Sequence, residues 1–185
     1  MKYYIIILLT TLTFSVCGQD KYDYIQFNKL TEVKGTAYAI ASIDNKSKMV
    51  KSKNKYLLFI DTQNGSSNQV DFPGDGYIDQ IEQVKIDKLG INNIIVAAKT
   101  VDLDGKSGID WSDPQHIFVL SANGKIKTQL TEDKFFTQNW TINNQTGTII
   151  ITGHYDSNGN GKYDKTDNNE ILIFDLKTLE LKSKI

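Results

Sequence analysis

Residues 147–176, GTIIITGHYDSNGNGKYDKTDNNEILIFDL, contain two apolar runs separated by an acidic loop that is rich in glycine and asparagine. The runs at 147–154 and 170–176 are short and rich in isoleucine, which favours strands. Glycine, asparagine and aspartate between the runs favour turns, because these residues tolerate positive φ. This segment therefore predicts two antiparallel strands joined by a loop with many side-chain oxygen atoms.

The same arrangement occurs earlier in the chain, where residues 93–121 read NIIVAAKTVDLDGKSGIDWSDPQHIFVLS. Asp102 and Asp156 begin the two acidic loops and lie 54 residues apart, and Ile95 and Ile149 precede them at the same spacing. A repeat of this length indicates that one supersecondary unit occurs more than once.

Short β-rich runs continue along the rest of the chain, and no window after residue 20 sustains a helical pattern over three turns. Asn64-Gly65 and Asn123-Gly124 are hairpin signals between such runs. We predict an all-β fold of three repeated four-stranded antiparallel units. The signal-like residues 1–18 precede a single domain at 19–185, whose units span about 24–72, 78–130 and 137–184.

The composition excludes several classes of protein. Hydrophobic residues make up 39% of the chain and charged residues 23%, which is enough to form a folded core. The 21 basic residues are all lysines and are balanced by 22 acidic residues, which disfavours nucleic-acid binding. One cysteine and two histidines disfavour a disulfide framework and a histidine-rich metal centre.

The loop that begins at Asp156 has the ligand spacing of an EF-hand calcium loop. Such loops supply oxygen atoms from positions 1, 3, 5, 7, 9 and 12 and carry glycine at position 6. Gly161 stands at position 6 here, and aspartate replaces the usual glutamate at position 12. We predict that calcium binds, although a solvated turn without metal is the alternative. The predicted ligands are Asp156, Asn158, Asn160, the Lys162 carbonyl, Asp164 and Asp167.

The loop that begins at Asp102 is a second candidate for calcium binding. It has carboxylates at positions 1, 3, 9 and 12, but Lys106 and Ser107 occupy positions 5 and 6. Its predicted ligands are Asp102, Asp104, Asp110 and Asp113.

Residues 71–82 form a third candidate, with aspartate at positions 1, 5 and 9 and Pro73 at position 3. This segment resembles the short calcium loops of integrin-type (FG-GAP) propeller repeats. The corresponding loop of the first unit, which begins at Asp44, has lysines at ligand positions and is not expected to bind a cation.

The last unit contains Trp140-Thr141-Ile142, then Gly147-Thr148-Ile149-Ile150-Ile151, an acidic insert, and a strand that ends near Asp175-Leu176-Lys177-Thr178. This order resembles the blade of periplasmic β-propellers of the translocation-protein B (TolB) type. The resemblance implies a propeller-like fold, and a β-sandwich is the alternative. Propellers usually have four to eight blades, so three units imply an open arc, a homo-oligomer that completes a ring, or another packing of three sheets.

The N-terminus has the features of an export signal. Lys2 precedes an apolar run from Tyr3 to Val16, which is shorter than the ~20 residues that span a bilayer. Cys17 at its end resembles the lipidated cysteine of bacterial lipoproteins, although Phe14 and Val16 depart from that motif. We predict either a cell-envelope lipoprotein or, after ordinary cleavage, a secreted or periplasmic protein.

The residues outside the acidic loops form no evident catalytic set, and His116 and His154 are expected to be surface residues at strand ends. We therefore predict an exported, noncatalytic β-repeat protein with structural calcium that serves as a binding or scaffold module. Its expected partners are calcium and an unidentified protein or glycan, with no nucleic acid and with membrane contact only through a lipid anchor. The alternatives are a small extracytoplasmic hydrolase with calcium near its site and a metal-free structural β-domain.

Overall fold

The computed structural model describes Phe27 and residues 29–42, 55–106 and 108–185. The predicted signal peptide with Cys17, the lysine-containing loop that begins at Asp44, and Ser107 lie outside the described residues. In the described part of the chain, no helix is long and apolar enough to cross a membrane.

Strands dominate the described residues, which also contain one short 3₁₀ turn at Asp87–Leu89. The strands are β1 (Lys29–Glu32), β2 (Tyr38–Ser42), β3 (Lys55–Asp61), β4 (Ser67–Phe72), β5 (Tyr77–Ile86), β6 (Ile91–Lys99), β7 (Gln115–Ser121), β8 (Lys127–Gln129), β9 (Phe135–Asn143), β10 (Thr148–Tyr155), β11 (Asn168–Asp175) and β12 (Leu181–Lys184). They form three four-stranded antiparallel sheets in chain order, β1-β2-β3-β4, β5-β6-β7-β8 and β9-β10-β11-β12. The predicted all-β fold of three four-stranded units is confirmed.

The middle sheet is buried on both faces. Ile94 and Val96 of β6 pack in a cluster with residues of the first sheet. Ile95 and Ala97 pack in a second cluster with residues of the third sheet. Successive side chains of a strand point to opposite faces, so a strand that is covered on both sides must be apolar at every position. This explains why residues 94–98 are continuously apolar instead of alternating.

Each outer sheet contributes its own apolar residues to one of these two cores. Leu57 and Phe59 of β3 are fully buried in the core between the first and second sheets. Ile149 and Ile151 of β10 are fully buried in the core between the second and third sheets. Burial of one such side chain contributes about 1.5–3 kcal/mol to the free energy of unfolding. These cores hold the first and third sheets against the two faces of the second sheet.

The direction of the strands decides where the acidic loops lie. Because antiparallel neighbours alternate in direction, every connection that follows an even-numbered strand leaves its sheet at the same end. Residues 100–114 follow β6 and residues 156–167 follow β10. Residues 73–76, between β4 and β5, also leave at this end, so the fold brings all three acidic connections to one side.

Candidate metal centre

In the loop 156–167, the first and last predicted ligands are carboxylates held by backbone N–H groups. The Asp156 carboxylate accepts hydrogen bonds from the backbone of Gly159, Asn160 and Gly161, at 2.8, 3.1 and 2.9 Å. The Asp167 carboxylate accepts from the N–H of Ser157 at 3.2 Å and of Asp164 at 2.9 Å. Asp156 is 2% exposed and Asp167 is 7% exposed. The loop backbone therefore curls around these two carboxylates, which lie at its first and last ligand positions.

The remaining side-chain ligands of this loop form a network at its exposed side. One Asp164 oxygen accepts from the side-chain amides of Asn158 at 2.8 Å and Asn160 at 2.7 Å. The other oxygen accepts from the hydroxyl and backbone N–H of Thr166, at 2.6 and 2.7 Å. The Thr166 hydroxyl and then its N–H are the main causes that lower the pKa of Asp164 to about 2. Asp164 is therefore ionised at neutral pH.

Thr166→Val is expected to raise the pKa of Asp164 from about 2 toward its ordinary value of 3.8, because the hydroxyl donor is removed. The folded-state pKa is depressed, so the contribution of Asp164 to stability is complete above 3.8 and is lost as the pH falls toward 2. The titration of the Asp164 carboxyl carbon by ¹³C NMR measures this pKa. Thr166→Ser, which keeps the hydroxyl, should leave the pKa low; an unchanged value in Thr166→Val would contradict the assignment.

The loop 102–113 has the same arrangement at its ends. The Asp113 carboxylate accepts from the backbone N–H of Leu103 and Asp110, both at 2.8 Å. These donors stand at positions 2 and 9 of the loop, which are the positions that donate to Asp167 in the later loop. The repeat that is visible in the sequence is thus also a repeat of hydrogen bonds.

Three carboxylates converge in the loop 102–113. Oxygen atoms of Asp102, Asp104 and Asp113 lie within 4.8 Å of one another, and this is the one group of three or more acidic, histidine or cysteine side chains that converges so closely in the described part of the chain. The predicted ligand Asp110 is not in this group, and its carboxylate accepts from the backbone and hydroxyl of Ser112, at 2.8 and 2.6 Å. Asp164 accepts from Thr166 in the same way in the later loop. The sequence predicts four aspartate ligands here, and the structure brings three of them together.

Lysine side chains contact the loop 102–113. The Lys106 ammonium lies 3.3 Å from Asp104, in an exposed ion pair. The Lys99 ammonium donates to the backbone carbonyl of Asp113. Burial lowers the pKa of Lys99, and the charges of Asp79, Asp113 and Asp110 oppose that effect. Part of the negative charge of this loop is therefore balanced by the protein itself.

A histidine occupies the position of Lys99 in the third unit. Lys99 pairs across the sheet with Gln115, two residues after Asp113, and His154 pairs with Asn169, two residues after Asp167. The sequence spacing of 54 aligns Lys99 with Gly153, whereas the strand pairing aligns Lys99 with His154. The strand before the loop is therefore shifted by one residue relative to the sequence repeat. Burial lowers the pKa of His154, which therefore supplies no permanent positive charge to its loop.

The prediction that both histidines are surface residues is wrong. His116 is fully buried, with its ring nitrogens near the Thr100 hydroxyl at 3.1 Å and the Asp133 carbonyl at 3.2 Å. His154 is also buried, stacked on Phe136 with a centroid distance of 4.9 Å and covered by Tyr163 at 4.1 Å. Tyr163 is position 8 of the loop 156–167, so this loop folds back onto its own sheet through an aromatic contact that ligand spacing does not predict.

The three acidic connections touch one another. A Cβ atom on Gly161 would lie 2.8 Å from Asp104 Cα, so the loops 156–167 and 102–113 are in close contact. The backbone N–H of Ile109 donates to the Asp75 carboxylate at 3.3 Å, and this bond connects the loop 102–113 to residues 73–76. The Lys162 ammonium lies near that of Lys106, and the proximity of this second cation lowers the pKa of Lys162.

The third candidate, residues 71–82, does not form a curled loop. Asp71 belongs to β4, and Asp79 and Glu82 belong to the extended strand β5. Asp79 accepts instead from the side-chain amide of Gln115 at 2.8 Å. Positions 9 and 12 of this segment are therefore part of the sheet, and calcium binding by its remaining residues stays a prediction.

No protein-family model matches the chain, and no curated protein matches it. Among solved structures, the chain is similar to a mutant of the Synechocystis apocarotenoid oxygenase (ACO), with a TM-score of 0.36 and 15% identity over 80% of this chain and 34% of that chain. An ACO/RPE65 chimera gives a TM-score of 0.34 and 15% identity over 81% of this chain and 32% of that chain. The chain spans about a third of the length of either structure.

These comparisons correct one prediction. The sequence predicts a noncatalytic protein, whereas one of the two similar structures is an oxygenase and the other is a chimera of it. We therefore withdraw the noncatalytic assignment. At this identity and these TM-scores, the similarity assigns no oxygenase activity to this chain.

Proposed function

We propose that this protein binds calcium in the loops 102–113 and 156–167, and that the bound ions stabilise one end of its repeated sheets. In this proposal the protein is a β-repeat binding or scaffold module of the kind suggested by the TolB-type and FG-GAP resemblances. Export and lipidation at Cys17, which depend on residues outside the described ranges, remain predictions that belong to the same proposal.

The observation that carries the proposal is the shared hydrogen-bond pattern of the two loops. In each loop, the aspartate at position 12 accepts N–H groups from positions 2 and 9, which closes the loop around its other oxygen atoms. The candidate ligands are carboxylate, amide and carbonyl oxygens, and calcium prefers about six to eight such ligands. Oxygen-only ligand sets disfavour copper and zinc, which prefer nitrogen and sulfur.

The carboxylates retain capacity for a cation. A carboxylate has about four lone-pair sites. Among the described residues, Asp102 accepts from Gly105 and Gly108, at 2.7 and 3.1 Å, and Asp113 also accepts two hydrogen bonds. In the later loop, calcium would replace the two amide groups that now donate to Asp164.

The two loops differ in their need for a cation. Lys106 and Lys99 supply positive charge to the loop 102–113. Near the loop 156–167, the corresponding strand position is His154, whose pKa is lowered. We expect calcium to contribute more to the stability of the later loop. In the earlier loop, three carboxylates already lie close together.

Isothermal titration with calcium chloride tests the proposal. The unmutated protein should bind two calcium ions per chain, and magnesium should bind much more weakly, because it requires a tight octahedron and dehydrates reluctantly. The double variants Asp102→Asn/Asp113→Asn and Asp156→Asn/Asp167→Asn should each lose one ion. These changes preserve the shape of the side chain and remove its charge.

The matched control is Asp87→Asn/Asp133→Asn, which removes the same charge at two exposed aspartates outside all three candidate loops. This control should still bind two ions. Absence of saturable calcium binding in the unmutated protein, or equal binding in all three variants, would refute the proposal.

A further inference from the structure

The third sheet has one apolar face that no other sheet covers in the described part of the chain. Ile149 of β10 is buried against the second sheet, so Ile150 points to the opposite face. Ile150 pairs across the strands with Ile173. On the same face, Ile171 exchanges backbone hydrogen bonds of 2.9 and 3.0 Å with Ile185. This surface, the outer face of the third sheet, leaves Ile171 36% exposed and Ile185 72% exposed.

The rest of the outer face of the third sheet is also suited to burial. Tyr163, which is 58% exposed, covers His154 at the loop end of this face. The strand positions beside the isoleucines hold uncharged side chains, namely Asn139, Thr141, Thr152 and Ser183. Uncharged side chains cost far less to remove from water than charged ones. An exposed apolar face with a polar, uncharged surround is typical of a protein interface.

The internal repeat gives this outer face a counterpart in the middle sheet. In the middle sheet, Ile95 pairs with Val119 across β6 and β7, and both are buried against the third sheet. The strand pairing that aligns the two units matches this pair with Ile150 and Ile173 of β10 and β11. The outer face of the third sheet therefore has apolar residues at the positions with which the middle sheet binds the sheet that follows it.

The first sheet has the complementary face. In the middle sheet, Val96 pairs with Phe118, and both are buried against the preceding sheet. In the first sheet, the corresponding pair is Ala41 and Leu58, which points away from the middle sheet because Leu58 alternates with the core residues of β3. Leu30 pairs with Ala41 on the same side and is 73% exposed. This surface, the outer face of the first sheet, has the apolar pattern of a face that packs on a preceding sheet.

The size of these faces indicates how many contacts a stable assembly needs. Four strands about 4.8 Å apart, with the eight residues of β10 at about 3.3 Å each, give a face of roughly 500 Å². One contact would bury about 1,000 Å² over both copies, which is below the range of about 1,200–2,000 Å² for stable interfaces. Two contacts would bury about 2,000 Å². Two copies of three sheets also fall within the usual four to eight sheets of a closed ring, whereas three copies do not.

We propose that this protein forms a homodimer in which the outer face of the third sheet of each copy packs on the outer face of the first sheet of the other copy. Each contact joins two different surfaces, and two such contacts close the assembly so that neither outer face stays exposed. The two faces contain none of the proposed calcium ligands. The proposal is therefore independent of calcium binding and goes beyond it by naming a partner and the surfaces that bind it.

Sedimentation-velocity ultracentrifugation of the full chain tests this proposal. The unmutated protein should sediment with twice the mass of one chain. Ile171→Lys/Ile185→Lys changes two exposed residues of the third sheet and should raise the dissociation constant of the dimer at least about tenfold, because the contact would bury charges without partners. Leu30→Glu/Leu58→Glu on the first sheet should have the same effect. Circular dichroism verifies the fold of each variant, and Leu30→Glu alone replaces the second variant if that variant does not fold.

A mixture of the two variants tests which surfaces meet. In a mixed dimer, one contact is unmutated on both sides and the other brings lysines against glutamates, so dimers should return. The matched control Ile126→Lys/Leu181→Lys changes two exposed apolar residues outside both outer faces and should remain dimeric. The proposal would be overturned by an unmutated protein that is monomeric or larger than a dimer, by face variants that dimerise as tightly as the control, or by a mixture that stays monomeric.

Discussion

Calcium at a hundredfold excess over its dissociation constant is expected to stabilise the folded protein by about 2.7 kcal/mol for each occupied loop. For a chain of this length, that gain corresponds to a rise of about 5–10 °C in melting temperature. The physical reason is that Asp156 and Asp167 are buried, ionisable groups in one short loop. A cation that binds only the folded state reduces the repulsion among such carboxylates. Thermal unfolding in calcium and in chelator measures the effect.

Asp156→Ala should remove the part of this calcium-dependent gain that comes from the loop 156–167, which we expect to be the larger part. The Asp156 carboxylate also accepts three backbone N–H groups, so the variant will unfold at a lower temperature even in chelator. The informative quantity is therefore the difference between the melting temperatures in calcium and in chelator. Asp44→Ala, in the lysine-containing copy of the loop, should preserve that difference. Equal melting temperatures with and without calcium in the unmutated protein would rule out stabilisation by this metal.

Gly161→Ala is expected to destabilise the protein and to weaken calcium binding at both loops. Gly161 has a φ of 71°, and a left-handed conformation costs a residue with a Cβ atom about 1–2 kcal/mol. The added Cβ would also lie 2.8 Å from Asp104 Cα and 2.9 Å from the Leu103 carbonyl oxygen. Both contacts are with backbone, which cannot move without displacing the carboxylates of the neighbouring loop. Urea unfolding and calcium titration measure the two effects.

Gly159→Ala is the matched control for this change. Gly159 has nearly the same φ, 70°, but its added Cβ would meet only the end of the Lys134 side chain, at 3.9 Å. It should therefore cost the conformational strain alone and affect only its own loop. If Gly161→Ala and Gly159→Ala were equally destabilising, the contact between the two loops would carry no energy.

The arrangement of strands could be predicted from the sequence because its causes are local. Side-chain alternation, hairpin signals such as Asn123-Gly124, and the repeat at Asp102 and Asp156 all act over a few residues. The continuous apolar run at 94–98 is also a local signal, although its meaning as a strand that is covered on both faces depends on the neighbouring sheets.

Features of the candidate site that depend on distant parts of the chain could not be predicted in this way. The burial of His154 requires Phe136 from β9 and Tyr163 from the loop. The separation of Asp110 from the group of Asp102, Asp104 and Asp113 depends on how the loop folds, which the spacing of the aspartates does not show.

The burial of the middle sheet on both faces has a consequence for the order of synthesis on the ribosome. When β5 to β8 emerge, the first sheet is already available to cover Ile94 and Val96. Ile95, Ala97 and Ile117 must wait for the third sheet, because their packing partners include Ile149 and other residues near the C-terminus. A nascent chain that stalls before β10 therefore presents an apolar sheet face to the solvent, which is the kind of surface that chaperones bind and that promotes aggregation.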